Sequence, residues 1–139
     1  MRKKHIVGFT CGAFDLTHAG HYLMFEECKK QCDYLIVGLQ NDPSLDRKTK
    51  NKPVQTFEER KIQLSACKYI DKIIRYETEA NLVKLLKSLK IDIRFIGADW
   101  EGKDYTGHEL PIKVVFTPRN HNYSSSNLRK RIFDAEKSA

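Results

Sequence analysis

The sequence predicts an α/β fold: one doubly wound, parallel, five-stranded sheet. Three observations carry this expectation. Short β-branched apolar runs alternate with helical patterns along the chain, which is the order of β-α-β units. The runs are apolar at nearly every position, as in strands covered on both faces. The length of 139 residues suits one domain with its own core.

The elements follow in order. Residues 6–10 form a first strand that runs into a turn at Cys11-Gly12. Over residues 19–30, Tyr22, Leu23, Phe25 and Cys28 recur at helical spacing, with Glu26, Glu27, Lys29 and Lys30 between them. Residues 34–39 are a second buried strand. Residues 41–55 are polar, basic and without periodicity, and read as a long exposed loop. Thr56 is an N-cap whose capping box is completed by Glu59, and its helix extends to about residue 68. A third strand covers 70–75. A helix over 78–89 places Leu82, Leu85, Leu86 and Leu89 on one face. The fourth and fifth strands cover 91–97 and 112–117. Ser124 caps a last helix through Ile132 and Phe133. No repeat, low-complexity stretch or linker divides the chain, so residues 1–139 are expected to form one catalytic domain.

Composition narrows the partners. Lys and Arg number 25 against 18 Asp and Glu, a net charge of +7, with 40% hydrophobic and 31% charged residues. This is ordinary for a soluble globular protein. No apolar run approaches the roughly 20 residues that span a bilayer. The basic start Met1-Arg2-Lys3-Lys4-His5 is followed by too short an apolar stretch for a signal peptide, so the expected location is cytoplasmic, without membrane insertion. The excess positive charge restricts partners to anions. The cations at 47–52 have no aromatic among them and the others are scattered, which argues against a nucleic-acid-binding module and leaves phosphorylated small molecules. The four cysteines, Cys11, Cys28, Cys32 and Cys67, match no zinc-ribbon or thioredoxin spacing and read as free thiols.

In a doubly wound sheet, ligands bind beyond the carboxyl ends of the strands, where strand order reverses. The loops in question are residues 11–21, 39–56, 97–107 and 117–126, which hold most of the unusual residues. The first reads Gly12-Ala13-Phe14-Asp15-Leu16-Thr17-His18-Ala19-Gly20-His21. Two histidines three apart at a helix start share a face. Together with the free N–H groups of the first turn they suit an anion, and donors placed there stabilise charge growing in a transition state. A metal reading needs a third ligand, for which Asp15 is available, although His-x-x-His is not the usual helical pair. A plain helix start with surface histidines is the remaining alternative.

Gly-x-Phe-Asp-x-x-His-x-Gly-His closely resembles the nucleotide-binding signature of the cytidylyltransferase-like nucleotidyltransferases. Three further segments agree in order and spacing. Phe57-Glu58-Glu59-Arg60-Lys61 resembles a helix-start segment bearing an arginine. Phe95-Ile96-Gly97-Ala98-Asp99-Trp100-Glu101-Gly102-Lys103 is similar to the Gly-Asp-Asp-Trp-Glu-Gly-Lys stretch of glycerol-3-phosphate cytidylyltransferases. The segment from Thr117 through Arg119 to Ser124-Ser125-Ser126 resembles the terminal Arg-x-x-x-x-Ser-[ST]-[ST] signature. The resemblance covers residues 4–133 and implies a Rossmann-like nucleotidyltransferase fold.

That resemblance implies transfer of CMP from CTP, with Mg²⁺, to a phosphorylated polyol. The most suitable acceptor is glycerol 3-phosphate, giving CDP-glycerol and pyrophosphate. It assigns catalysis to His18, His21, Lys48 and Arg119. Nucleotide binding falls to Ala13, Phe14, Asp15, His18, His21, Lys50, Asp99, Arg119, Tyr123, Ser124, Ser125 and Ser126. The acceptor is assigned to Lys48, Arg60, Asp99 and Trp100. No resident protein metal site and no nucleic-acid partner are expected, and relatives imply a homodimer. Arg60 sits in the first turn of its helix, where a cation opposes the macrodipole, and this suggests a nearby anion. His108 and His121 read as surface residues, the latter inside the last motif. Ala98 stands where the related stretch has its first Asp, and Ala19 where the motif usually has a large aromatic. These departures leave the histidines intact and open the acceptor's identity. The alternative is an adenylyltransferase making an ADP-sugar or a dinucleotide cofactor, or a CDP-transferase for another sugar or polyol phosphate.

Overall fold

The computed structural model describes residues 5–138. The elements are β1 (Val7–Gly12), α1 (Ala19–Lys30), β2 (Tyr34–Gln40), α2 (Phe57–Ser65), β3 (Lys72–Tyr76), α3 (Glu79–Ser88), β4 (Ile93–Gly97), β5 (Lys113–Thr117) and α4 (Ser125–Ser138), with short 3₁₀ turns at Pro43–Leu45 and Ala98–Trp100. The sheet is parallel throughout, in the order β3-β2-β1-β4-β5. Strand order reverses between β1 and β4, and the carboxyl ends of these two strands mark the crevice expected in such a sheet. Among the described residues no helix is long and apolar enough to cross a membrane.

Local chemistry accounts for the elements. Thr56 with Glu59, and Thr78 with Asn81, form reciprocal capping boxes at the starts of α2 and α3, satisfying amides that a helix cannot satisfy itself. Two helix ends differ from the expectation: α4 runs on past Phe133 to Ser138, and α2 stops early. α2 ends at Ser65 rather than near residue 68, and residues 66–70 turn through bonds from the Cys67 amide to Leu64 O and from the Ile70 amide to Cys67 O. The cause is Asp71, whose backbone amide donates to Leu35 O while its side chain accepts from the Leu35 amide. This double bond to β2 draws the chain out of the helix and into β3.

Alternation along the strands divides the core in two. Leu35, Val37, Leu39 and Phe95 point to one face, where they meet Phe25 and Cys28 of α1 and Leu64 of α2. Phe9, Ile36 and Tyr76 point to the other, under Leu82 and Leu86 of α3. Packing is tight at Gly8, where β1 lies beside β4: a Cβ there would lie 2.7 Å from Phe95 Cε2 and 2.8 Å from Cys32 Sγ. Gly8→Ala should therefore destabilise the fold by about 1–3 kcal/mol in urea unfolding, and adding Cys32→Ala, which frees part of that space, should recover part of the loss. An unchanged midpoint in the single variant would refute the close packing.

Candidate functional site

A cleft of about 520 Å³ opens at the carboxyl ends of the strands. One wall is the loop after β1 and the start of α1, and the opposite wall is the start of α3 with the loops after β4 and β5. Its lining includes Ala13, Phe14, His18, His21, Lys50, Asp99, Trp100, Arg119, Tyr123, Ser124 and Ser125. Four segments far apart in sequence thus bring their predicted residues to one place.

The two histidines are interlocked. His18 is the N-cap of α1, and its Nδ1 accepts from the Gly20 amide at 3.1 Å; His21 Nδ1 accepts from the His18 amide at 3.2 Å. The rings lie 4.1 Å apart, centroid to centroid. An imidazole whose Nδ1 accepts carries its proton on Nε2, so each ring has one remaining donor. Burial holds both rings neutral: it is the main reason His18 lies below the ordinary histidine range and His21 falls to about 4, with the His121 imidazole adding to both. A Cβ on Gly20 would stand 2.6 Å from His121 Cε1 and 2.9 Å from His18 Cε1. The motif's second glycine makes room for these imidazoles.

Polar groups complete the rim. Arg119 Nη2 donates to Tyr123 O at 2.8 Å, and its Nη1 lies 4.0 Å from Asp99 Oδ2, so two predicted residues are adjacent. Ser124 Oγ accepts from the Asn127 amide and caps α4, leaving the first turn of that helix beside the cleft. Lys50 is exposed and follows a tight turn, its amide donating to Arg47 O. Trp100 is 39% exposed, an aromatic face open to a ligand.

Other predicted residues lie elsewhere. Lys48 is exposed on the loop and does not line the cleft, nor does Ser126. Asp15 is buried beneath the loop rather than facing a nucleotide. Its Oδ2 accepts from the Val54 amide and from Arg129 at 2.8 Å each, and its Oδ1 from the Gln55 amide at 2.9 Å. Desolvation pushes this carboxyl up, but the two amides and the Arg129 guanidinium outweigh it and leave the group below the ordinary aspartate range.

Arg60 requires a correction. It is 2% exposed, and carbonyls occupy its guanidinium. Nε donates to Gln55 O and Thr56 O, Nη1 to Ala13 O and Gln40 O at 2.9 and 2.7 Å, and Nη2 to Asn41 O. The anion inferred from its unfavourable helix position is replaced by these carbonyl dipoles. It ties the loop after β1 to the end of β2 and the start of α2, with four of its five N–H groups taken by these carbonyls, and it does not line the cleft.

Sequence reasoning missed the wall on the α3 side. Cys11, Gln40, Arg47, Tyr76, Glu79, Leu82, Arg94, Tyr105 and Thr106 line it. Arg47 Nε lies 2.9 Å from Glu79 Oε1. One signal was available: Arg94 is the lone charge in Ile93-Arg94-Phe95-Ile96, inside a strand that is otherwise apolar.

The chain matches the family model described as cytidylyltransferase-like over residues 9–131. It is 35% identical over 132 residues to the bifunctional protein HldE of Campylobacter curvus, covering 94% of this chain and 28% of that protein. It is 33% identical to the corresponding protein of Caulobacter vibrioides, over 91% of this chain and 27% of that protein. The chain thus spans less than a third of the length of these curated relatives. Among solved structures it is similar to a lipopolysaccharide core biosynthesis protein from Thermoplasma volcanium, with a TM-score of 0.66, 26% identity, and coverage of 86% of this chain and 98% of that one. A pantoate-beta-alanine ligase from Francisella tularensis shares the fold, at a TM-score of 0.62 and 17% identity over 93% of this chain and 67% of that one.

Two outcomes test the site's construction. Arg60→Met should destabilise the ligand-free protein by at least about 3 kcal/mol, because several buried carbonyls lose their donors together; a shift in urea midpoint below a third of that would refute the staple. His21 gives a pH signature. Its folded value of about 4 lies below the ordinary 6.5, so as pH falls through 6.5 the unfolded chain takes up a proton that the folded chain does not. Stability should drop between pH 6.5 and 4, by up to about 3 kcal/mol from this group. His21→Asn should flatten that window in unfolding measurements, and an unchanged slope would refute the depressed value.

Proposed function

The chain belongs to the cytidylyltransferase-like family of nucleotidyltransferases, and from that premise we propose that it transfers a nucleoside monophosphate from a nucleoside triphosphate to the phosphate of a small polyhydroxy acceptor. The first reading of the pair is CTP with glycerol 3-phosphate, giving CDP-glycerol and pyrophosphate. A phosphate oxygen of the acceptor forms the new bond to the α-phosphorus. The bond from that phosphorus to the bridging oxygen breaks in line, and its electron pair leaves on pyrophosphate. A phosphate dianion is already a nucleophile, so no general base is required.

The observation that carries this reading is the interlocked pair His18 and His21. Buried neutral imidazoles with Nδ1 occupied are fixed donors through Nε2–H, and fixed donors stabilise charge without reorganising as it develops. Lys50, Arg119 and the first turn of α4 supply the positive potential that a triphosphate needs. Catalysis then consists of positioning and charge neutralisation. Among the described residues no group of three His, Cys, Asp or Glu side chains is disposed to hold a metal. The lining carboxylate Asp99 fits a Mg²⁺ that arrives with the nucleotide, since that ion keeps its waters and needs few protein ligands. When bound, it would neutralise triphosphate oxygens beside Asp99.

The Asp99-Trp100-Glu101-Gly102-Lys103 stretch favours the CTP and polyol reading. The similarity to a protein of lipopolysaccharide core biosynthesis favours a second one, ATP with a sugar phosphate giving an ADP-sugar, and Ala98 in place of a carboxylate leaves room for it. Pyrophosphate release from each nucleoside triphosphate against a panel of phosphorylated polyols and sugars separates them. CTP with glycerol 3-phosphate is expected to turn over; ATP with a sugar phosphate turning over while that pair stays silent would replace the first reading with the second. On the active pair, His18→Ala should lower kcat on the order of 10²-fold with little change in KM, and unchanged kcat would refute its role. In the free protein, an NMR titration of the His21 imidazole should have its midpoint well below the ordinary 6.5, at about 4, and a midpoint near 6.5 would refute the neutral donor.

A further inference from the structure

The cleft has two halves, and the histidines occupy only one. Side-chain alternation at the strand ends turns Cys11, Gln40, Tyr76 and Arg94 toward the α3 face, where Glu79, Leu82, Tyr105 and Thr106 enclose a second chamber continuous with the first. Arg94 dominates it. The residue is only 5% exposed. Its Nη1 donates to Thr106 O, and its guanidinium carbon stands 5.3 Å from the centre of the Tyr105 ring. Its Nε is buried with no hydrogen-bond partner, and among the described residues no carboxylate lies within 4.0 Å of the group.

The contrast with Arg60 is instructive. Both guanidinium groups are buried, but carbonyls from several segments surround Arg60, whereas one carbonyl, one aromatic ring and the neutral Cys11 thiol face Arg94. Its neighbours do not supply a counter-charge. Burial raises the Cys11 thiol and the Tyr76 hydroxyl above their ordinary values, keeping both neutral, and the nearest acidic group of the chamber, Glu79, is drawn to Arg47. A buried cation without a counter-ion costs several kcal/mol, and β4 bears that cost where an apolar side chain would fit the strand. An anion entering the chamber offsets it.

We propose that the α3-side chamber is the acceptor's half of the site and that Arg94 receives the acceptor's phosphate monoester. The inference rests on the nucleotidyl-transfer reading and deepens it. The end of β1 then separates two phosphate-bearing substrates, the triphosphate against His18, His21 and α4, the acceptor against Arg94. Tyr76 and Gln40, which also line this chamber, would stand beside the acceptor's hydroxyls. Lys48, outside the cleft, is not needed for this contact. Arg94 is in this account a binding residue, and the role that competes with it is simple pinning of the 105–107 turn.

Titration calorimetry on the full chain separates these roles. The probes are CTP and ATP with Mg²⁺, glycerol 3-phosphate and the acceptor active in the panel above, and inorganic phosphate. Arg94→Gln should weaken the phosphate-bearing acceptor at least tenfold, leave nucleotide affinity within twofold, and act on KM for the acceptor rather than for the nucleotide. Arg94→Lys, which restores a cation, should recover part of the loss. Cys11→Met, which narrows the chamber and keeps the positive charge of Arg94, should weaken the acceptor in the same selective way, and this tests the chamber even if Arg94→Gln fails to fold. Parallel loss of nucleotide and acceptor binding in Arg94→Gln, or unchanged acceptor affinity, would overturn the proposal. If no acceptor turns over with any nucleotide, the transfer reading fails by itself; loss of inorganic phosphate binding in Arg94→Gln would then still support an anion site at this residue, and its retention would overturn it.

Discussion

The cleft depends on one buried guanidinium. Arg60 gathers carbonyls of Ala13, Gln40, Asn41, Gln55 and Thr56, which belong to the loop after β1, the end of β2 and the start of α2. Asp15 does the converse, gathering the amides of Val54 and Gln55 and the guanidinium of Arg129 from α4. One residue collects acceptors and the other collects donors, and together they lock the first ligand loop onto the long second loop. This lets the first loop hold a conformation it would not adopt alone. Phe14 and Leu16 both have positive φ, 49° and 51°, which is costly for residues with a Cβ. Leu16 is fixed by a bond from its amide to the Gln55 side chain, and Phe14 is buried against Phe25 and His21. The turn delivers the chain to His18 in the extended backbone of an N-cap.

The electrostatics follow from this construction. The histidines face the cleft as neutral donors because burial depresses them and because the capping bonds to Gly20 and His18 occupy Nδ1. Positive charge is supplied instead by arginine and lysine around them: Arg47, Lys50, Arg94 and Arg119 all line the cleft. The division has a physical logic. A fixed neutral donor adds its hydrogen bond without the long-range field of a cation, while the surrounding cations set the potential that gathers two anionic substrates. Four of the cations behind the net charge of +7 thus line one cleft.

Those parts of the molecule that rest on local rules were legible in the sequence. Apolar runs gave the strands, and the capping box at Thr56 and the leucine spacing after Thr78 marked the starts of α2 and α3 within a residue. The paired histidines, Arg119 and the serines before α4 come together because the sheet brings the ends of its strands to one edge. What was not legible depends on partners distant in the chain. Asp15 is a plausible ligand residue until Val54 and Gln55, some forty positions away, are seen to occupy it. Arg60 posed a real conflict with its helix, correctly noticed, but the dipoles that resolve it belong to backbone contributed by other segments. Arg94 announced itself as a charge inside an apolar strand, yet its chamber is assembled from five separate stretches, and no pattern along the chain describes that.

The same distinction bears on how the site divides its tasks. The donors that would act on the triphosphate are held by capping bonds and backbone, so their geometry is insensitive to which side chains fill the rest of the cleft. The α3-side wall is different: Cys11, Gln40, Tyr76 and Arg94 are set by side-chain identity at strand positions that can change without disturbing the sheet. Gly20 illustrates how rigid the first half is, because a methyl group there would strike the imidazoles of both His121 and His18. Ala98, beside Asp99 and Trp100 at the mouth, illustrates how free the second half is, since a small exposed residue replaces a carboxylate with no structural consequence for the strand before it. Under the proposed transfer, reaction type would be encoded in the half that the backbone holds, and acceptor choice in the half that side chains shape. In that second half the strongest single constraint is a buried arginine with no carboxylate beside it among the described residues.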